Sequence, residues 1–88
     1  MHAPLTPLLT LYGRTWCHLC EDMQAELEPL LAEFGAQLTV IDVDADPALE
    51  ARYDERVPVL VYDGVELCQY RLDAARVRAA LAARVARA

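Results

Sequence analysis

Thr15 to Cys20 read T-W-C-H-L-C, two cysteines three apart, placed just after an apolar run and just before a segment with helical spacing. Beyond them Leu19, Met23, Leu27, Leu30, Leu31 and Phe34 recur at offsets of three or four, which paints one face of a helix, and Gly35 is a natural stop. Pro29 falls inside this pattern. It lacks an amide proton and crowds the carbonyl of Ala25, so a kink or an early helix end is expected there. Cys20 is in register with the apolar stripe and should be buried, whereas Cys17 sits at the open N-terminal tip. Residues three apart on a helix lie within disulfide reach. Free amides and the positive end of the helix dipole favour a thiolate at Cys17, where such sites lower a thiol pKa from about 8.5 into a range of roughly 3.5 to 7.5. Cys17 is then the nucleophile, and Cys20 resolves the mixed disulfide that it forms.

Working outward, residues 8 to 12, L-L-T-L-Y, form an apolar run between Pro7 and Gly13 and read as a buried strand. Residues 37 to 43, Q-L-T-V-I-D-V, are rich in β-branched side chains and read as a second strand. A helix joins the two, so they should be parallel with a right-handed crossover. Asp46-Pro47 has the form of an N-cap and first helical position, opening a short helix to about Tyr53 that must end before Pro58. Residues 59 to 62 and 65 to 70 flank Asp63-Gly64, a strong hairpin signal. Asp73 can cap a closing helix carrying Val77, Leu81 and Val85. The order is βαβ, short helix, ββα.

The chain has 88 residues and 56% hydrophobic content, enough for one small core. A single domain over 1–88 is expected, with 1–7 a flexible N-terminal segment. Eight arginines stand against fourteen acidic residues, a formal charge of -6. Such a balance disfavours nucleic acid and anionic membranes as partners. Arg76, Arg78, Arg84 and Arg87 of the last helix read as a solvated face. The first residues carry no basic, uninterrupted signal-like segment, and no run reaches the roughly 20 apolar residues that span a bilayer. A cytoplasmic location follows as the expectation. In that reducing setting a close cysteine pair points to redox or metal chemistry rather than a structural bridge.

Several neighbours bear on the pair. Arg14 could bring positive charge near the thiolate, with an ordinary loop arginine as the alternative, while Glu21 and Asp22 oppose it. His18, four residues before Asp22, would favour the thiolate when charged. Trp16 is expected to shield the thiol and offer contact surface, with simple packing as its alternative. Cys17, Cys20, Cys68 and either His18 or His2 nominally supply four metal ligands, but a second C-x-x-C is lacking and His18 beside Cys17 is poorly placed to converge. No bound metal is expected. Cys68 reads as a core thiol, with a third redox thiol as the alternative.

Y-G-R-T-W-C-H-L-C, I-D-V-D-A-D-P and R-V-P-V-L-V-Y-D-G, in that order over nearly the whole chain, resemble the glutaredoxin and thioredoxin families, most closely small bacterial glutaredoxin-like proteins. The resemblance implies an α/β thioredoxin-like fold, a four-stranded mixed sheet with helices on both faces, and a cis peptide before Pro58 facing the Cys17 thiol. It implies that the Val57 backbone pairs with a bound peptide or glutathione, and Arg14 matches a position often basic in the family. Arg14, Trp16, His18, Val57 and Pro58 are accordingly the candidate substrate-facing residues. Two departures weaken the expectation of glutathione dependence. The family's Gly-Gly pair falls at Cys68 and Gln69, where side chains obstruct close backbone approach, and His18-Leu19 replaces the common Pro-Tyr. The expected function is a thiol-disulfide oxidoreductase acting on a protein disulfide or glutathione mixed disulfide. Glutathione or a reductase would be the electron source, with no bound cofactor and a monomeric chain. A thioredoxin-fold binding module and a metal carrier are the alternatives.

Overall fold

The protein is described by a computed structural model covering residues 6–87. Strand β1 spans Leu8–Gly13, helix α1 His18–Phe34, strand β2 Gln37–Asp42, helix α2 Pro47–Tyr53, strands β3 Val59–Tyr62 and β4 Val65–Gln69, and helix α3 Ala74–Arg87. Short 3-10 turns at Val43–Ala45 and Asp54–Arg56 flank α2. The sheet order is β2-β1-β3-β4, with β1 parallel to β2 and antiparallel to β3, and β3 antiparallel to β4. This is the mixed four-stranded sheet that the resemblance implied, and its parallel β1–β2 and antiparallel β3–β4 pairs are those read from the order of elements.

Alternation along β1 divides the core. Leu9 and Leu11 join Met23, Leu27 and Leu30 of α1, Leu60, Tyr62 and Leu67 of the hairpin, and Val77 and Leu81 of α3. Cys20, Val43, Tyr53, Val57 and Val59 form a second cluster, against which Tyr12 packs. Each buried aliphatic side chain contributes about 1.5 to 3 kcal/mol relative to exposure, so together the clusters dominate the stabilising side of folding. An ion pair of Arg78 with Glu33 ties α3 to α1 at the surface.

Three strand boundaries differ from the sequence reading, while helix α1 closes at the Gly35 stop that it named. Helix α1 does not end early: it runs through Pro29 to Phe34 and closes at Gly35, whose φ is 60°. Pro29 and Ala25 both lie on the exposed face, so the Ala25 carbonyl left without its amide partner faces solvent. Buried Leu27 and Leu30 hold the helix on either side. Strand β1 takes in Gly13, which pairs with Asp42. Strand β2 stops at Asp42, because its carboxylate accepts the Asp44 amide at 2.9 Å and turns the chain into the 3-10 segment, burying Val43. Strand β4 stops at Gln69, since Tyr70 adopts a φ of 69°.

The Asp63-Gly64 turn has positive φ at both residues, 55° and 78°, the backbone of a type I′ hairpin. One extra residue bulges β4, as Leu60 faces Cys68 and Val61 faces Glu66. Asp46 caps α2 by accepting the Ala48 amide at 2.8 Å, and Asp73 accepts the Arg76 amide at 3.0 Å at the start of α3. Arg76 and Arg78 are exposed. The segment expected to be flexible falls mostly outside the described residues, but Pro7 is buried and its carbonyl accepts the Gln37 amide at 2.8 Å. The chain is therefore anchored from Pro7 onward.

Candidate functional site

The T-W-C-H-L-C segment turns the chain from β1 into α1. Cys17 is the N-cap residue, with extended backbone, and its sulfur accepts the Cys20 amide at 3.1 Å. Cys17 and Cys20 are joined as a disulfide with Cα atoms 5.2 Å apart. Cys20 is 8% exposed, on the apolar stripe of α1, while Cys17 is half-buried at the helix tip. The two sulfurs thus sit in unequal surroundings, and Cys17 lies where helix amides point outward without intrahelical partners.

The Val57-Pro58 peptide is cis, and both residues are buried. Val57 belongs to the cluster that contains Cys20 and against which Cys17 packs, so the fold brings this loop to the cysteine pair across 40 residues of sequence. The Pro58 carbonyl accepts the Tyr70 amide at 2.9 Å, which closes the end of β4 onto the loop.

Trp16 is 97% exposed and has a φ of 62°. Simple packing is excluded for this side chain, and it shields nothing by burial; it offers a bare aromatic surface next to Cys17 in sequence. His18 stands 3.4 Å from Asp22, the i,i+4 pairing that the spacing suggested, with both groups open to solvent. Surface pairs of this kind are worth little.

Arg14 has a different setting from the one its position suggested. Its guanidinium donates to the Asp44 carboxylate at 3.1 and 3.3 Å and to the Asp54 carbonyl at 3.2 Å. The Asp44 hydrogen bond, with the charges of Asp44, Asp54 and Glu50 behind it, holds the guanidinium pKa above its ordinary value. Two carboxylates balance the charge, so Arg14 is not a free cation beside the thiol. It straps the loop before Cys17 to both 3-10 turns, the second of which leads into Val57.

A second network was hidden in the sequence. Arg56, directly before Val57, donates to both Glu66 carboxylate oxygens at 2.8 and 3.3 Å, to Gln69 Oε1 at 3.1 Å and to the Arg52 carbonyl at 3.3 Å. Its guanidinium also lies 5.4 Å from the centre of the Tyr53 ring, which stacks on Tyr12 at 4.3 Å. The Arg56 hydrogen bond holds the Glu66 carboxyl below the usual carboxylate range. Gln69, one of the two positions where the glycine pair would fall, is engaged in this network. The side-chain partners Glu66 and Gln69 are 10 and 13 residues from Arg56, separations with no periodicity to signal them.

Cys68 packs half-buried against the larger core cluster, a free thiol apart from the disulfide. Burial pushes its thiol pKa up, partly offset by a hydrogen bond from the Asp73 backbone. Among the described residues no group of three or more His, Cys, Asp or Glu side chains converges as a metal site. His2, a nominal ligand in the sequence, lies outside the described residues. A groove of about 220 Å³ runs beside Cys20, lined by Leu11, Gly13, Cys20, Gln24 and Val40 among others.

A βαβ unit followed by a ββα unit on one mixed sheet, with a cysteine pair at the start of the first helix, defines a glutaredoxin-like chain of the thioredoxin fold. The chain belongs to the family described as Glutaredoxin-like domain (DUF836), whose model matches residues 8–82. It is 34% identical to the Mycobacterium tuberculosis protein Rv0508 over 81 residues, covering 86% of this chain and 84% of that one. The solution structure of protein Ne2328 from Nitrosomonas europaea matches with a TM-score of 0.79 and 38% identity, over 91% of this chain and 96% of that one. Chloroplastic thioredoxin z matches with a TM-score of 0.68 and 27% identity, over 92% of this chain and 80% of that one.

Proposed function

We propose that the protein is a dithiol-disulfide oxidoreductase in which Cys17 attacks and Cys20 resolves. The observation that carries this reading is the unequal placement of the two sulfurs, one capping α1 and half-exposed, the other buried one turn in. A Cys17 thiolate attacks one sulfur of a substrate disulfide, forming a Cys17 to substrate bond and expelling the other substrate sulfur as a thiolate. Cys20 then loses its proton and attacks the Cys17 sulfur, releasing the second substrate thiolate. Two electrons pass from the chain to the substrate, and the two protons from Cys17 and Cys20 end on the substrate thiols.

The Cys20 amide aimed at the Cys17 sulfur supports the first step, because a hydrogen bond to the charged form favours the thiolate. Val57 and Pro58 would hold the substrate backbone beside the pair, and exposed Trp16 would supply apolar contact. His18, when protonated, would add positive charge at the tip. Arg14 would act indirectly, by fixing the loops that carry Cys17 and Val57. The substrate would be a protein disulfide or a glutathione mixed disulfide met by a monomer in the cytoplasm, with glutathione or a reductase restoring the dithiol. Engagement of Gln69 by Arg56 speaks for a reductase over strict glutathione dependence.

Insulin reduction, followed with glutathione and separately with thioredoxin reductase as electron source, tests the reading. Turnover is expected with at least one source and should fall to the uncatalysed rate in Cys17→Ser. Activity unchanged in that variant would refute the assignment.

A further inference from the structure

We infer that Gly13 is a positioning residue for Cys20, and that the missing side chain at the end of β1 sets how readily the Cys17–Cys20 bond forms. The inference rests on the dithiol-disulfide reading of the pair. Gly13 is buried, and its conformation is not the left-handed one that Gly35 and Gly64 adopt. Backbone freedom therefore does not explain the glycine. Space does: a Cβ at position 13 would lie 3.0 Å from Cys20 Sγ and 3.3 Å from Cys20 Cβ, whereas one at Gly35 or Gly64 would meet nothing within 4 Å.

Relief of such a contact depends on the redox state. In the disulfide, Cys20 Sγ is tethered to Cys17, which caps the same helix, and α1 is pinned to the core through Met23 and Leu27. The sulfur can then yield only if the helix start moves. In the dithiol it can rotate about χ1, and the adjoining groove of about 220 Å³, lined by both Gly13 and Cys20, gives it room. A methyl group at position 13 thus penalises the disulfide more than the dithiol.

The test is to equilibrate the full chain and Gly13→Ala with mixtures of reduced and oxidised glutathione, then alkylate and read the oxidised fraction by mass. In this equilibrium the two protein thiols give up two electrons and two protons in forming their bond. One glutathione disulfide takes these up and becomes two glutathione molecules. Gly13→Ala should lower the constant for disulfide formation at least tenfold, a potential about 30 mV less negative. An unchanged or raised constant overturns the inference. No catalysis is needed for this reading, so a wild-type chain that forms its disulfide yet fails to reduce insulin would sink the proposed function alone.

Thermal unfolding separates the sulfur contact from general damage. Gly13→Ala should cost the oxidised chain much more than it costs a Cys20→Ala chain, and equal losses overturn the inference. If Gly13→Ala alone does not fold, the Gly13→Ala, Cys20→Ala double variant should; its failure as well would show that removing the sulfur gives no relief and overturn the inference.

Discussion

Cys68 and Cys17 differ by environment in a way that individual side chains make measurable. Cys68 is half-buried with its thiol pKa raised first by desolvation, so it stays neutral at pH 7 to 8. The sign follows from the disfavoured charged form: the neutral thiol supports the folded state below the ordinary thiol range, and that support fades as pH rises through the raised value. In the reduced chain iodoacetamide at pH 7.5 (roughly the middle of the physiological range) should label Cys17 well before Cys68. Peptide mapping over time checks this, and equal labelling would contradict it. At this scale the sequence was legible where spacing is local. The His18–Asp22 pair and the burial of Cys20 both follow from helical offsets. Arg14 was not legible, because its partners Asp44 and Asp54 lie 30 and 40 residues away and only the fold introduces them.

Secondary elements carry two further expectations. Pro29 interrupts the hydrogen bonding of α1 on its solvent face, yet the helix continues because its buried face is anchored by Leu27 and Leu30. Replacing it by alanine restores an amide donor without touching the core, so Pro29→Ala should raise stability by up to about 3 kcal/mol. Denaturant unfolding measures this, and insulin reduction should be unaffected. Arg56 joins the turn before Val57 to β4 through Glu66 and Gln69. Arg56→Ala should therefore loosen the Val57-Pro58 loop and raise KM for a polypeptide disulfide while leaving kcat and the redox equilibrium of the pair nearly unchanged. Glu66→Gln should do so more mildly. Because Arg56 holds the Glu66 carboxyl below its usual range, the contribution of the pair is present above the ordinary glutamate pKa and lost as pH falls through the depressed value. The wild-type advantage in KM over Glu66→Gln should shrink accordingly as pH falls below the ordinary glutamate range.

For the molecule as a whole, element order and the hairpin signal anticipated two pairings, since a helical crossover demands parallel β1 and β2 and Asp63-Gly64 demands antiparallel β3 and β4, while one mixed sheet joining them came from the resemblance. What periodicity could not convey is convergence: the second cluster draws on α1, the turn after β2, α2, and the loop and strand around Pro58 to surround Cys20. Gly13 shows the same limit, because its reason lies in a sulfur seven positions away that returns against it from the next helix. The central claim is that this assembly makes Cys17 the attacking sulfur. Its most direct test is to mix the reduced Cys20→Ser chain with a disulfide-bonded polypeptide such as insulin and map the product by mass spectrometry. A mixed disulfide at Cys17 that persists until dithiothreitol is added is the predicted result; no adduct, or one formed chiefly at Cys68, would contradict it.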